Sequence, residues 1–121
     1  MAETVSDTDS ILNNVKSWLG IDTSDSSFDV ELIMHINTIL SHLAQIGIGP
    51  DTGYSIKDAN DKWSDFITDQ TKLMLLNNVK TYVTLKVRLI FDSPTSSVIK
   101  EAYEKQINEI ENRMYVTMGG Y

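Results

Sequence analysis

Apolar residues recur every three or four positions along four stretches of the chain, which is the spacing of an amphipathic α-helix. The four predicted helices cover residues 8–19, 29–46, 69–91 and 95–114, and residues 58–67 fit one or two further helical turns. The third helix is apolar around much of its circumference, so we expect it to lie at the centre of the fold. The pattern predicts an all-α protein: a small antiparallel bundle of four main helices plus a short helical turn, with an extended C-terminal tail.

The predicted helices are bounded by residues that commonly begin or end helices. Ser6 or Thr8 is expected to cap the first helix, and Gly20 fits the position just after its end. Ser93 and Pro94 are expected to start the last helix, as its cap and its first residue. The connection before that helix is short, which predicts that the last two helices run antiparallel.

The same spacing predicts which side chains form the core. Trp18 and Trp63 are expected to be buried there, although either one can also line a pocket. The loop 47–57 is rich in turn formers but carries large apolar residues, so parts of it should fold back onto the core. The predicted core faces of the last two helices are made by Leu73, Leu76, Val79, Tyr82, Val83, Val87, Ile90, Ile99, Tyr103, Ile107, Ile110 and Met114.

A chain of 121 residues, 41% of them hydrophobic, is long and apolar enough for one compact domain. We divide it into a flexible N-terminus over residues 1–7, a helical domain over residues 8–114 and a C-terminal tail over residues 115–121. The absence of cysteine excludes disulfide bonds and thiolate metal sites. No apolar run approaches the roughly 18 residues that span a bilayer, and the acidic N-terminus is unlike a signal peptide. We therefore expect a cytosolic protein that does not contact a membrane.

The formal net charge of −7 is distributed unevenly along the chain. Residues 1–31 carry seven acids and one base, a net −6, whereas residues 72–92 carry four bases and one acid, a net +3. An acidic surface repels phosphate, so tight nucleic-acid binding is not expected. We expect the four bases of the second segment to pair with acidic neighbours in the fold. They are Lys72, Lys80, Lys86 and Arg88.

Only weak patterns point to catalysis. His35 and His42 share one helix face and Glu31 precedes His35 by one turn, but the spacing differs from the His-Glu-x-x-His pattern of zinc enzymes. The glycine-rich loop lacks the Lys-Ser/Thr ending of a phosphate-binding loop. Acidic pairs such as Asp58 and Asp61 lie in polar contexts that are typical of solvated surfaces. We therefore expect no catalytic residue, no cofactor and no metal site.

Six stretches, taken in order, give a more specific indication. Residues 45–50 read Gln-Ile-Gly-Ile-Gly-Pro, and residues 80–92 read Lys-Thr-Tyr-Val-Thr-Leu-Lys-Val-Arg-Leu-Ile-Phe-Asp. The series resembles the head–tail connector proteins of tailed bacteriophages, also called adaptor or head-completion proteins, over most of residues 9–115. The other stretches of the series are 11–19, 28–37, 94–97 and 106–114.

The resemblance implies a structural protein of the virion neck, at the head–tail interface, that is made in the host bacterial cytoplasm. It implies a homo-oligomeric ring under the portal protein, expected to be twelve-fold, which extends the DNA channel and lets DNA pass without specific binding. The ring would also offer a docking face to a stopper or tail-completion protein. The family's C-terminal segment typically reaches the portal. Mapped onto this chain, the expected portal contacts are Arg113, Met114, Tyr115, Val116, Met118 and Tyr121.

The charge pattern adds two hypotheses, and two other functions stay open. The opposite charges of residues 1–31 and 72–92 can supply complementary subunit faces, and an acidic channel would let DNA pass without adhering. One alternative is a small regulatory helical domain that binds a partner protein or peptide in a groove. The other is a minor enzyme or metal protein that uses His35, His42 and Glu31.

Overall fold

The computed structural model describes residues 8–117, apart from the side chains of Gln70 and Thr117. Within this range the fold is all-α, as predicted, with five α-helices, one 3-10 turn at Gln70–Lys72 and no β-strand. Extended backbone pairs at an isolated bridge between Ser10 and Lys62. The α-helices are α1 (Ile11–Trp18), α2 (Asp29–Gln45), α3 (Trp63–Phe66), α4 (Leu73–Phe91) and α5 (Ser97–Thr117).

Helices α1, α2, α4 and α5 run alternately up and down the bundle. The end of α1 lies beside the start of α2, where Lys16 Nζ is 2.8 Å from Asp29 Oδ1. The start of α2 lies beside the end of α4, where the rings of Phe28 and Phe91 meet edge to face with centroids 5.2 Å apart. Helix α4 packs against α1, α2 and α5, so the prediction that the most apolar helix is central is confirmed.

Helix α5 returns antiparallel along α4, as the short connection predicted. Two contacts show this direction, because the residue further along α4 contacts the residue that comes earlier in α5. The Tyr82 hydroxyl donates a hydrogen bond to Glu111 Oε2 at 3.0 Å, whereas the Arg88 guanidinium lies over the ring of Tyr103, 6.0 Å from its centroid. Burial raises the pKa of Tyr82 far above its ordinary value, and the hydrogen bond to Glu111 adds to the shift. Tyr82 therefore stays a neutral donor.

The core lies between α1, α2 and α4. It is covered by α5 and by the loop before α3. Trp63 is buried as predicted and donates its indole N–H to Asn14 Oδ1 at 3.1 Å. The prediction is wrong for Trp18, which is 64% exposed because it lies at the edge of the α1 buried face, at the helix end. It is also wrong for Leu73 and Ile90, which lie at the two ends of α4, where neighbouring helices no longer cover them.

The first helix begins at a cap that the sequence pattern did not select. Ser10 Oγ accepts a backbone N–H of the first turn at 3.2 Å and donates to the carbonyl oxygen of Ala59 at 2.7 Å. Ser10, not Thr8, is therefore the cap, because it also ties the helix start to the loop before α3; Ser6 lies outside the described residues. Gly20 follows the helix end with φ +78°, as predicted.

The loop between α2 and α3 folds back onto the core, as predicted. The Asn37 side chain holds it by accepting the backbone N–H of Ile56 at 2.7 Å and donating to its carbonyl oxygen at 3.0 Å. Ile48 and Ile56 are buried. Gly49 has φ +96°, and a Cβ atom there would lie 2.6 Å from Cε1 of Phe66. Glycine is therefore required at this position by both backbone conformation and close packing.

Helix α5 starts two residues later than predicted. Its start is capped by Ser96, whose Oγ accepts the N–H of Ile99 at 3.4 Å and whose carbonyl oxygen accepts that of Lys100 at 3.0 Å. Ser93 and Pro94 are therefore not the cap and first residue. Packed helices lie about 8–10 Å apart, so the chain needs this longer connection to cross from the α4 axis to the α5 axis.

Helix α5 also ends later than predicted. Residues 115–117 continue the helix, so the predicted extended tail is wrong for them. Periodicity shows only where the buried stripe ends, here at the fully buried Met114, and the backbone hydrogen bonds of a helix can continue beyond it. The rest of the predicted tail, residues 118–121, lies outside the described residues, as does the N-terminal segment 1–7.

Candidate partner-binding surfaces

Large apolar side chains are exposed at both ends of the α4–α5 pair. Ile90 and Val98 are exposed where α4 ends and α5 begins, and Met74 and Val116 are exposed at the opposite end. Helix α4 has 19 residues, so about 28 Å separates the two ends. Ile99, which was predicted to be buried, is also exposed, because the first turn of α5 extends past the end of α4. Exposed apolar patches are typical of sites that bind another protein.

A groove of about 610 Å³, which we call the C-terminal groove, lies between the start of α4 and the end of α5. Its surface is apolar around Met74, Leu75 and Val116, with two asparagine amides and two basic side chains among its lining residues. Apolar side chains can bury surface in a partner, and the amides can orient that partner by hydrogen bonds. The groove is lined by Thr71, Lys72, Met74, Leu75, Asn78, Asn112, Arg113 and Val116.

The expected portal contacts fall into three groups. Arg113 and Val116 line the C-terminal groove, and Tyr115 is exposed one residue away. Met114 is fully buried, so it anchors α5 on the core and is not accessible to a partner. The sequence analysis did not predict that Met74 lines the C-terminal groove, because periodicity selects residues on the apolar face of a helix and Met74 lies outside that face. Two expected contacts, Met118 and Tyr121, lie outside the described residues.

A second groove, which we call the lateral groove, has a volume of about 530 Å³ and lies beside α4, between α2 and α5. Its apolar surface comes mainly from isoleucine and leucine side chains. Lys86 lies among them, and Glu104 is the acidic residue of its lining. The lateral groove is lined by Thr38, Ile39, His42, Lys86, Leu89, Ile90, Glu104, Ile107 and Asn108.

The four basic residues of segment 72–92 were predicted to pair with acids, and the described part of the structure does not show these pairs. Lys86 Nζ instead lies over the ring of Tyr82, 5.1 Å from its centroid, and Arg88 lies over the ring of Tyr103. Arg88 Nε is buried and has no hydrogen-bond partner among the described residues. Within residues 8–117, none of Lys72, Lys80, Lys86 and Arg88 forms an ion pair. The positive charges of Lys80, Lys86 and Arg88 on α4 are therefore not neutralised by an ion pair within the described part of the chain.

The base of the acidic N-terminal segment is used internally. Lys16 is only 1% exposed, and its Nζ contacts Asp29 Oδ1 at 2.8 Å and the Thr23 carbonyl oxygen at 3.1 Å. The sequence contains a signal for this burial, because Lys16 follows Leu12 by four residues and so lies on the apolar face of α1. The direct ion pair of Lys16 is with Asp29, so Asp22 and Asp25 feel its charge only at longer range.

The structure does not bring the histidines and acids of the weak metal and catalytic patterns together into one site. His35 Nε2 lies 3.7 Å from Glu31 Oε1, while His42 lies on the lateral groove. Among the described side chains, no group of three or more His, Cys, Asp or Glu residues could hold a metal ion. None of the helices described between residues 8 and 117 is long and apolar enough to cross a membrane.

Comparison with protein families tests the resemblance found in the sequence. A family model described as phage connector protein matches residues 11–120. The chain belongs to the phage connector protein family. The resemblance found in the sequence is thereby confirmed, whereas no curated protein and no solved structure gives a significant match.

Membership of the connector family directs attention to the surfaces of the molecule. A connector protein is a structural component of the phage and works through contacts with other head–tail proteins. In this connector protein, the exposed apolar residues at the two bundle ends and the two grooves are the candidate surfaces for such contacts.

Proposed function

We propose that this connector protein is a head–tail adaptor. Copies of it form a ring under the portal protein, extend the DNA channel and provide a docking face for a stopper or tail-completion protein. The observation that supports this function best is the exposure of large apolar side chains at the two opposite ends of the α4–α5 pair. An adaptor must hold two partners at once, so it needs two separate faces.

The C-terminal groove is the portal side of the adaptor. This assignment is supported by the exposed residues Met74, Tyr115 and Val116, and by the position of residues 118–121 directly after α5. A portal segment in the groove would bury these apolar side chains and bond to the asparagine amides. The opposite end, with Val98 and Ile99, then faces the stopper or tail protein.

The adaptor contributes binding surfaces and no catalysis. A closed ring needs two different, complementary patches on each copy, and its symmetry is expected to match the twelve-fold portal. The net charge of −7 disfavours adhesion of DNA to the channel wall, because few phosphate charges can be neutralised. No measurable binding of duplex DNA at low salt is expected; tight binding would contradict the proposed channel.

Native mass spectrometry of the full chain mixed with the portal ring of the same phage tests this function. The test variants are Val116→Asp and Met74→Asp, which place a carboxylate in the C-terminal groove. The matched control is Val98→Asp, the same change at an equally exposed valine at the other end of the hairpin. Truncation of α5 is a poorer test, because it would also remove the buried Met114.

The parent chain is expected to bind with one copy per portal subunit. The two groove variants should bind at least tenfold more weakly, whereas Val98→Asp should bind the portal like the parent and lose the stopper or tail protein instead. Circular dichroism checks that all three variants stay helical. A parent chain that remains monomeric in the presence of the portal would overturn the adaptor function and favour a regulatory helical domain.

A further inference from the structure

The two sides of the bundle differ in the elements that flank α2. Asp29 of α2 contacts Lys16 of α1, whereas Thr38 and His42 of α2 line the lateral groove. These positions are nine and thirteen residues apart from Asp29, which places them roughly 180–220° around the helix at 100° per residue. Helix α1 and the lateral groove therefore lie on opposite sides of α2.

The α1 side carries an exposed aromatic residue, and acids outnumber bases in the loop that follows it. Trp18 is 64% exposed, and the loop after α1 contains Asp22 and Asp25, four and seven residues further along the chain. Hydrogen bonds from Ser24 and Ser27 lower the pKa of these two carboxyl groups, so both are ionised near neutral pH. Lys16 does not neutralise them fully, because its ammonium group is buried against Asp29. We call Trp18, Asp22 and Asp25 the acidic flank.

The groove side has the opposite character. Leu89, Ile90 and Ile107 give the lateral groove an apolar surface, and Lys86 brings a positive charge that no carboxylate of the described chain pairs with. Glu104 lies on the α5 rim of the groove, so its charge works against an acidic occupant. An aromatic side chain flanked by carboxylates on one edge fits this arrangement, with the ring on the apolar surface and the carboxylates towards Lys86.

We propose that the lateral groove of one copy receives the acidic flank of the next copy, with Trp18 as the central anchor. This inference rests on the proposed function, since it names the faces that join copies in the adaptor ring. Because the two patches are different and lie on opposite sides of the bundle, the contact is head-to-tail and can repeat until a ring closes. Tryptophan is among the residues that contribute most to binding when buried at an interface.

Charge reversal with rescue tests the contact on the portal-bound ring. Lys86→Glu, and separately the pair Asp22→Lys with Asp25→Lys, should each raise the concentration needed for ring assembly at least tenfold. Combining all three changes in one chain should restore assembly, since every interface then regains opposite charges. Lys105→Glu is the matched control, because it reverses an exposed lysine of α5 that does not line the groove, and it should leave assembly unchanged.

Two further changes test the anchor and the rim. Trp18→Ala should weaken assembly as strongly as Lys86→Glu, although it removes no charge. Glu104→Gln should strengthen assembly. Assembly of the parent should weaken as salt rises, since the screening length falls from about 10 Å at 0.1 M to about 3 Å at 1 M. Assembly that does not respond to salt would contradict the contact.

A cysteine pair tests the same contact without the portal. The chain has no cysteine, so Ser26→Cys in the loop of the acidic flank together with Asn108→Cys on the lateral groove introduces the only two thiols and keeps Lys86, Asp22 and Asp25. Oxidation should give a ladder of covalent oligomers, whereas each single variant can give at most a dimer. Portal-bound rings that tolerate every charge reversal, or a double-cysteine chain that gives no ladder, would overturn this inference and leave the adaptor function intact. Failure of the parent chain to bind the portal would overturn the adaptor function, while the ladder would still decide the contact between copies.

Discussion

Replacing Lys16 by methionine tests how α1 is attached to α2. The change keeps most of the aliphatic volume but removes the ammonium group that contacts Asp29 at 2.8 Å and the Thr23 carbonyl oxygen at 3.1 Å. Lysine is rarely buried to 1% exposure unless it is paired, so this contact is the condition for its position on the apolar face.

The expected loss of stability is moderate. Hydrogen bonds to charged groups contribute about 1.5–3 kcal/mol each, and removing the cost of burying the ammonium group offsets part of this. The side chain of Asp29 remains 28% exposed and stands in the first turn of α2, where water and the helix dipole stabilise it after the lysine is gone. We therefore expect Lys16→Met to lower the free energy of unfolding by about 1–3 kcal/mol.

A second substitution separates the charge from the aliphatic stem. Lys16→Ala also removes three buried methylene groups, which should cost roughly 2 kcal/mol more than Lys16→Met at about 0.8 kcal/mol per group. The difference between the two variants therefore measures packing, and the loss in Lys16→Met measures the polar contacts.

Urea denaturation followed by circular dichroism at low protein concentration gives these free energies. A double-mutant cycle with Asp29→Asn should yield a coupling energy of at least about 1 kcal/mol between the two side chains. Because the ammonium group is buried, 0.5 M salt should change this coupling little. A methionine variant as stable as the parent, with no coupling to Asp29, would refute the role of the ion pair and leave Lys16 as a packing residue only.

Three further predictions use the same assay. Gly49→Ala should destabilise the fold by about 2 kcal/mol or more, because of its positive φ and its clash with the ring of Phe66. The control Gly53→Ala is also at positive φ but has open space around it, so it should cost only about 1 kcal/mol. Equal losses in the two variants would contradict the clash. Tyr82→Phe should lower the free energy of unfolding by about 1–2 kcal/mol, because it removes the buried hydroxyl that donates a hydrogen bond to Glu111 of α5. The control Tyr103→Phe makes the same change in a half-buried ring and should lower it by less than about 0.5 kcal/mol. The pKa of Asp22 is lower in the folded protein than its ordinary value of 3.8, so the ionised carboxylate stabilises the fold at pH values above 3.8. This contribution is lost as the pH falls through the folded pKa, so Asp22→Asn should flatten the fall in stability below about pH 4. An unchanged profile of stability against pH would contradict this.

Hydrophobic periodicity predicted the helices and their order better than their ends. The four long helices and the central place of α4 depend on many apolar positions, so single exceptions do not change them. Helix ends depend on one or two hydrogen bonds. Ser10 caps α1 because Ala59 lies opposite it, and Ser96 caps α5 because the chain must first cross from α4. The local sequence shows neither the position of Ala59 nor the distance that the chain must cross between the two helices.

The same argument explains why the partner surfaces were only partly predictable. Periodicity shows that a side chain will be buried, but it does not distinguish burial in the core from burial against another protein. Leu73, Ile90 and Ile99 continue the apolar stripes of α4 and α5 and were predicted to be core residues, yet they are exposed beyond the length that neighbouring helices cover. In a connector protein, a partner would cover the part of an apolar stripe that extends past the neighbouring helices. The residues for which the core prediction was wrong, with Trp18 among them, are therefore the first positions at which partner contacts should be tested.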